Sequence, residues 1–183
     1  MSLELILGCM FSGKSSELQR RVRRNVAIGK RVLIVNHTCD NRYGGDETVA
    51  THDGGTMKAL KINYIRDIDP KNVEIIAIDE GHFFEDIEIV RDFISKNISV
   101  IVAGLSSDYK QKKIGKLLDL IPCSDDVTML KALCGVCNDG TPGAFTKKKE
   151  STRNEKRVET NGGENVGGKE KYIAVCRKCH SKE

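Results

Sequence analysis

Leu3-Glu4-Leu5-Ile6-Leu7-Gly8-Cys9-Met10-Phe11-Ser12-Gly13-Lys14-Ser15 decides how the rest of this sequence is read. The largely apolar run Leu3 to Leu7, ended by Gly8, reads as a short buried strand. Gly8 to Ser15 then fits the pattern G-x-x-x-x-G-K-[ST]. From Ser15 to Ile28 the period becomes helical, because Leu18, Val22 and Val26 recur every four residues and share a face. Strand, glycine-bounded loop and helix in that order make a phosphate cradle. Backbone N–H groups of the loop point inward at the anion, and the helix N-terminus adds its own. Gly8 and Gly13 permit backbone angles that a side chain obstructs. Lys14 sets a positive charge against β- and γ-phosphates, and Ser15 offers a hydroxyl to Mg²⁺. The plainer alternative is a glycine turn with an exposed lysine; the strand before it and the helix after it favour the phosphate reading.

Outward from this loop, strands and helices alternate. Gly29 closes the first helix, and Arg31 to Val35 reads as a second strand. Arg20, Arg21, Arg23 and Arg24 read as a solvated face of that helix rather than a nucleic-acid patch. Residues 37–56 are polar and Gly-rich without a clear period, which in a compact domain marks a functional or mobile stretch. Val73 to Ile78 is a β-branched run, so a third strand is expected. Ile87, Val90, Phe93 and Ile94 fit one helical face, and Ile98 to Val102 is a further strand. A short helix is expected around Ile114 to Leu120, and one more strand over Val127 to Leu133. Such alternation implies an α/β fold: a P-loop NTPase-like parallel sheet with helices on both faces. Asp79-Glu80 follows the third strand directly, at the sheet edge where open α/β sheets bind ligands. Asp79 is thus placed to reach Mg²⁺, and Glu80 to take a proton from an attacking hydroxyl. Two solvated carboxylates opening the next helix are the alternative.

The chain has 183 residues, 39% of them hydrophobic, which suits one core with a small appendage. No run approaches the 18 apolar residues of a membrane span, and residues 1–8 do not read as a secretory signal. A net charge of +4, 5% aromatic residues and no Trp argue against a nucleic-acid partner. Seven cysteines make an odd number that suits a reducing compartment. Cys9, Cys39 and Cys123 are scattered and read as small apolar residues. Cys134-x2-Cys137 and Cys176-x2-Cys179 have metal-ligand spacing, so four thiolates can enclose a tetrahedral Zn²⁺, with His180 as an alternative to Cys179. Composition shifts after Cys134, and 147–168 is charged, Gly-rich and nearly devoid of apolar residues. Metal at its foot would supply folding energy that this segment lacks. The expected division is a nucleotide-binding α/β domain over 1–133 and a zinc-binding domain over 134–183.

Taken together, these residues resemble the type II thymidine kinases of cells and large DNA viruses. Gly8 to Ser15 is similar to that family's phosphate loop, with Cys9 where Pro is usual. Asp40-Asn41-Arg42-Tyr43, Thr51-His52-Asp53, Asp79-Glu80-Gly81-His82-Phe83-Phe84, Ala103-Gly104-Leu105 and Tyr109-Lys110-Gln111-Lys112 follow in family order. Gly167-Gly168, Tyr172 and Cys176-Arg177-Lys178-Cys179-His180 match its C-terminal end. The resemblance implies transfer of the ATP γ-phosphoryl group to the 5′-hydroxyl of thymidine, with Glu80 as general base. It also implies ATP and Mg²⁺ contacts from Gly8, Cys9, Met10, Phe11, Ser12, Gly13, Lys14, Ser15, Asp40, Asn41, Arg42, Asp79 and His82. Met10, Phe83, Leu105, Tyr109, Ile114 and Tyr172 would meet the nucleoside. A lasso closed at its foot by zinc would cover the thymine through Gly163, Glu164, Asn165, Val166 and Gly167. His82 stands for the family's usual Gln, Tyr109 for Phe and Ile114 for a common Phe. With those departures, deoxyuridine is expected as a second acceptor. Thymidine triphosphate inhibition, a homotetramer and a cytoplasmic location are carried over from the family as expectations.

Two readings from other classes compete. A P-loop ATPase would use Glu80 to activate water and would turn over ATP without a nucleoside. A zinc-dependent nucleic-acid module would show salt-sensitive affinity for DNA or RNA and indifference to nucleotides.

Overall fold

A computed structural model of the chain describes residues 1–40, 48–50, 56–149, 168 and 170–182. β1 (Leu3–Gly8) leads through the glycine-bounded loop into α1 (Lys14–Ala27), and β2 (Val32–His37) follows. β3 (Thr48–Ala50) and β4 (Thr56–Lys58) form a small antiparallel pair. β5 (Leu60–Ile62), β6 (Ile75–Ile78), α2 (Val90–Ser95), β7 (Ser99–Leu105) and β8 (Asp126–Leu130) complete the main body. The central sheet has six strands in the order β5-β2-β6-β7-β1-β8. Every pairing in it is parallel, so all the strands end at one edge.

The near-continuous apolar runs of the inner strands have a direct cause: both faces of the sheet are covered. Leu3, Leu5 and Leu7 of β1, Ile76 and Ile78 of β6, and Val100 and Val102 of β7 point to one side. There they pack with Ile87, Val90, Phe93, Leu117 and Leu120. The alternate residues Ile6, Ile75, Ala77, Ile101 and Ala103 point to the other side and meet Leu18 and Val22 of α1. Each buried Leu or Ile stabilises this arrangement by about 1.5–3 kcal/mol relative to exposure. Val26, on the same stripe as Leu18 and Val22, is 50% exposed, so the core contact of α1 ends one turn earlier than the spacing implies.

The expected elements are present with shifted ends. The second helix begins as a 3-10 turn at Ile87–Ile89 before α2. The helix expected around Ile114 to Leu120 is a 3-10 segment over Leu117–Cys123. The strand expected over Val127 to Leu133 divides into β8 and β9 (Ala132–Leu133). β9 pairs antiparallel with β10 (Pro142–Gly143). β11 (Phe145–Lys148) pairs antiparallel with β12 (Tyr172–Val175), and α3 (Arg177–His180) is the last element among the described residues. Among the described residues no helix is long and apolar enough to cross a membrane.

Candidate active site

The loop between β1 and α1 is built around two backbone constraints. A Cβ on Gly8 would lie 2.6 Å from both the Leu130 carbonyl oxygen and the Ser12 hydroxyl, so only glycine lets β1 approach β8 there. Gly13 caps α1 in the left-handed region at φ 82°, where other residues are strained. Lys14 and Ser15 open a 14-residue helix whose first N–H groups face the loop. The Lys14 ammonium is buried and donates to the Cys9 carbonyl at 2.8 Å, and Ser12 Oγ donates to the same oxygen at 2.9 Å. A positive charge therefore lies across the loop, beside the amides that an anion would use.

The acidic pair stands two strands away at the same edge. Asp79 is 2% exposed and Glu80 5%. The Asp79 N–H donates to the Val35 carbonyl at 2.9 Å, which continues the β2–β6 ladder one residue past β6. Glu80 takes a left-handed φ of 52°, unusual for a side-chain-bearing residue. Its N–H donates to Asp79 Oδ1 at 3.1 Å. His82 is buried beside it: Nδ1 accepts the Leu105 N–H at 3.3 Å and lies 3.4 Å from Glu80 Oε2. Phe83 packs on His82 and His37, with ring centroids 4.3 and 5.8 Å apart. Burial pushes the His37 imidazole below its ordinary pKa, so it stays neutral there. Asp40 lies just past β2, where its carboxylate accepts Asn36 Nδ2 at 3.0 Å.

A separate apolar cluster forms where β1, β7 and β12 meet. Met10, Leu105 and Tyr172 are its buried members, and Phe11, Tyr109 and Ile114 pack against them. These include five residues singled out from the sequence for nucleoside contact, drawn from four separate segments. Asn41, Arg42 and residues 163–167 lie outside the described residues.

Thr146 was not singled out from the sequence, yet it is buried here and its Oγ1 accepts the Met10 N–H at 3.0 Å. One residue earlier in the loop, the Cys9 thiol donates to the Gly143 carbonyl at 3.2 Å. Burial raises the Cys9 pKa, so it remains a thiol and a donor. The phosphate loop is thus held from outside by β10 and β11, strands more than 130 residues away in sequence. The signal for Thr146 was faint: a single hydroxyl in the run Phe145-Thr146-Lys147, in a strand of four residues.

The sulfur atoms of Cys134, Cys137, Cys176 and Cys179 all lie within 4.8 Å of one another. Cys137 Sγ is 3.8 Å from Cys176 Sγ and 3.5 Å from Cys179 Sγ. A tetrahedral Zn²⁺ with about 2.3 Å Zn–S bonds sets its sulfurs about 3.8 Å apart, so this set fits the ion. The backbone N–H of Cys137 points at Cys134 Sγ and holds that thiol down to about 6. Hydrogen bonding to the Cys179 thiol, and then to the other two cysteines, pushes Cys137 up to about 12. His180 faces elsewhere, toward Tyr109 and Gln111, and Cys179 completes the set.

Residues 1–180 match the thymidine kinase family. The chain belongs to that family. Over 184 residues it is 39% identical to the cytosolic thymidine kinase of Bos taurus, covering 99% of this chain and 72% of the relative. The cytosolic thymidine kinase of Homo sapiens gives the same identity, with 99% and 74% covered. The thymidine kinase of Sheeppox virus is 39% identical over 181 residues, covering 97% of this chain and 96% of the viral one. Cellular and viral thymidine kinases alike therefore align along almost the whole of this sequence.

Proposed function

We propose that this chain transfers the γ-phosphoryl group of ATP to the 5′-hydroxyl of thymidine, giving thymidine monophosphate, with deoxyuridine as a second acceptor. The observation that carries this reading is a juxtaposition. A buried carboxylate pair stands at the same sheet edge as a phosphate-type loop, and an apolar and aromatic cluster adjoins that loop through Met10. Phosphoryl transfer asks mainly for positioning and charge neutralisation. The loop amides and Lys14 hold the triphosphate. Ser15 and Asp79 offer the hard oxygen donors that would hold Mg²⁺, which neutralises phosphate charge when bound. Asp40, Asn41, Arg42 and His82 complete the phosphate and metal side.

Glu80 accepts the proton as the 5′-oxygen attacks the γ-phosphorus and the bond to the β,γ-bridging oxygen breaks. Its carboxylate is screened from bulk water, so few competing acceptors for the phosphoryl group reach it. Met10, Phe83, Leu105, Tyr109, Ile114 and Tyr172 receive the nucleoside, with Gly163, Glu164, Asn165, Val166 and Gly167 over the base. Cys134, Cys137, Cys176 and Cys179 would hold Zn²⁺, which supplies folding energy to the C-terminal module when bound.

On this reading residues 1–133 form the nucleotide domain and 134–183 the zinc-binding lasso. Feedback inhibition by thymidine triphosphate, a homotetramer and a cytoplasmic location belong to the same proposal.

The deciding experiment is a transfer assay with γ-labelled ATP across the common nucleosides. Label should appear on thymidine and deoxyuridine, and ATP consumption should depend on them. ATP turnover at an equal rate without nucleoside would make the chain an ATPase instead.

A further inference from the structure

His180 sits one residue past the metal set, yet both of its ring nitrogens face another part of the molecule. Nε2 lies 3.0 Å from the Tyr109 carbonyl oxygen, and Nδ1 lies 3.3 Å from Gln111 Nε2. A carbonyl only accepts, so Nε2 carries the hydrogen and Nδ1 accepts from the Gln111 amide. One tautomer satisfies both contacts.

Behind the ring, the His180 N–H donates to the Cys176 carbonyl at 2.9 Å, and the ring packs on Phe145 with centroids 5.6 Å apart. Lys147 Nζ adds a bond to the Cys179 carbonyl at 3.1 Å. His180 is therefore carried by the turn that presents Cys176 and Cys179, and braced by β11.

The segment it grips is a self-closed turn. The Asp108 carboxylate accepts the N–H groups of Lys110 at 2.8 Å and Lys112 at 2.7 Å, and Gln111 takes a left-handed φ of 61°. Residues 110–113 are exposed, so little packing fixes where this turn sits. Its one inward member is Tyr109, whose ring lies 6.2 Å from that of Tyr172 in the apolar cluster.

We propose that His180 is a positioning residue for the nucleoside site. It joins the four-cysteine module to the Tyr109 turn, so that metal binding fixes the Tyr109 wall of the pocket. This rests on the reading of Tyr109 as a nucleoside contact. The link acts on one substrate alone, because the phosphate loop is held separately through Thr146 and Gly143.

The test compares His180→Phe with His180→Gln. Phenylalanine keeps the packing on Phe145 and removes both hydrogen bonds; glutamine restores a donor for the Tyr109 carbonyl. In His180→Phe the KM for thymidine should rise roughly tenfold, within the range that two lost hydrogen bonds can give. The KM for ATP, kcat and the zinc content should stay near wild type, and His180→Gln should recover most of the loss. Amide hydrogen exchange at residues 109–112, measured without nucleotide or nucleoside, should quicken in the Phe variant.

Equal rises in both KM values, loss of zinc, or unchanged KM and exchange would each overturn the proposal. If wild type fails to phosphorylate thymidine, the functional reading falls, while the exchange measurement still decides the link. Should His180→Phe not fold, Gln111→Ala removes the second bond from the other side. It should quicken exchange and raise the thymidine KM in the same direction; no change in either would overturn the link.

Discussion

Glu80 joins three properties that seldom coincide: a left-handed backbone, burial, and a place at the C-terminal edge of a parallel sheet. Holding a side-chain-bearing residue at such a φ costs about 1 kcal/mol or more, and such strain clusters at functional sites. The Asp79 N–H stays on the β2–β6 ladder, and the Glu80 carboxylate lies 3.4 Å from His82 Nδ1. Glu80→Gln would remove the proposed proton acceptor and little else, since the amide fits the same space. It should keep ATP affinity within a few-fold, measured calorimetrically, while turnover falls by about 10²–10⁴-fold. Near-normal turnover would take Glu80 out of the mechanism. The residues that were legible in the sequence are those whose chemistry is local. Gly8 to Ser15 and Asp79-Glu80 sit beside the strands that present them. Thr146 was not legible, because its importance comes from a fold that carries β11 back to Met10. For the fourth cysteine position, sequence left Cys179 and His180 open, since both follow Cys176 closely enough to reach one ion. The short turn of α3 puts Cys179 inward and sends His180 to Tyr109.

The first helix was legible as an element but not in its electrostatics. Its arginines read as a solvated face, and Arg20 conforms, being exposed and paired along the helix with Glu17. Arg21 does not. Its guanidinium is largely covered and reaches Glu17 at 2.9 Å, Glu4 of β1 at 2.6 Å, and Asp126 and Thr128 of β8 at 3.3 and 2.7 Å. One side chain thus fastens α1 across two adjacent strands, a role that depends on β8 pairing with β1 over 100 residues away. Strands β10 to β12 are not legible in the sequence for a related reason. They have two to four residues each, too few for a period to show.

Hydrogen bonds from Arg20, and then from Arg21, hold the Glu17 carboxyl down to about 2, from an ordinary value of 4.5. A carboxyl with a depressed folded pKa stabilises the fold above its unfolded value and loses that contribution as pH falls toward its folded value. Glu17→Gln should therefore lower stability at neutral pH by about 1 kcal/mol after solvent screening. The gap to wild type should be constant above about pH 5 and narrow as pH falls through 4 toward 3. Urea denaturation of both proteins along that series checks the sign. A gap that widened on acidification would show that the pairing of Glu17 with Arg20 and Arg21 contributes no such stability.

Across the whole molecule, the strands and helix around the four-cysteine cluster also reach the loop after β1 and the Tyr109 turn. Cys134 adjoins β9, and its N–H donates to the Thr141 carbonyl at 2.7 Å just before β10. Cys176 and Cys179 flank the link between β12 and His180. From this node β10 and β11 reach the phosphate loop through Gly143 and Thr146, and α3 reaches the Tyr109 turn through His180. Its own apolar support is small: Val175 is fully buried, with Phe145 and Ile173 packed partly against it. So little buried apolar area leaves room for a metal held by the four cysteines to add folding free energy when bound. Cys134→Ser removes one thiolate from the set and should leave far less than one zinc per chain. It should also raise the KM for ATP together with that for thymidine, whereas His180→Phe affects thymidine alone. Amide exchange should quicken over 142–148 and 172–180 but not over β6 and β7, whose core is independent of the metal. Metal analysis, the two KM values and the exchange map read this directly. Full zinc retention would show that the ligand set is wrong, and an unchanged KM for ATP would show that β10 and β11 do not govern the phosphate loop.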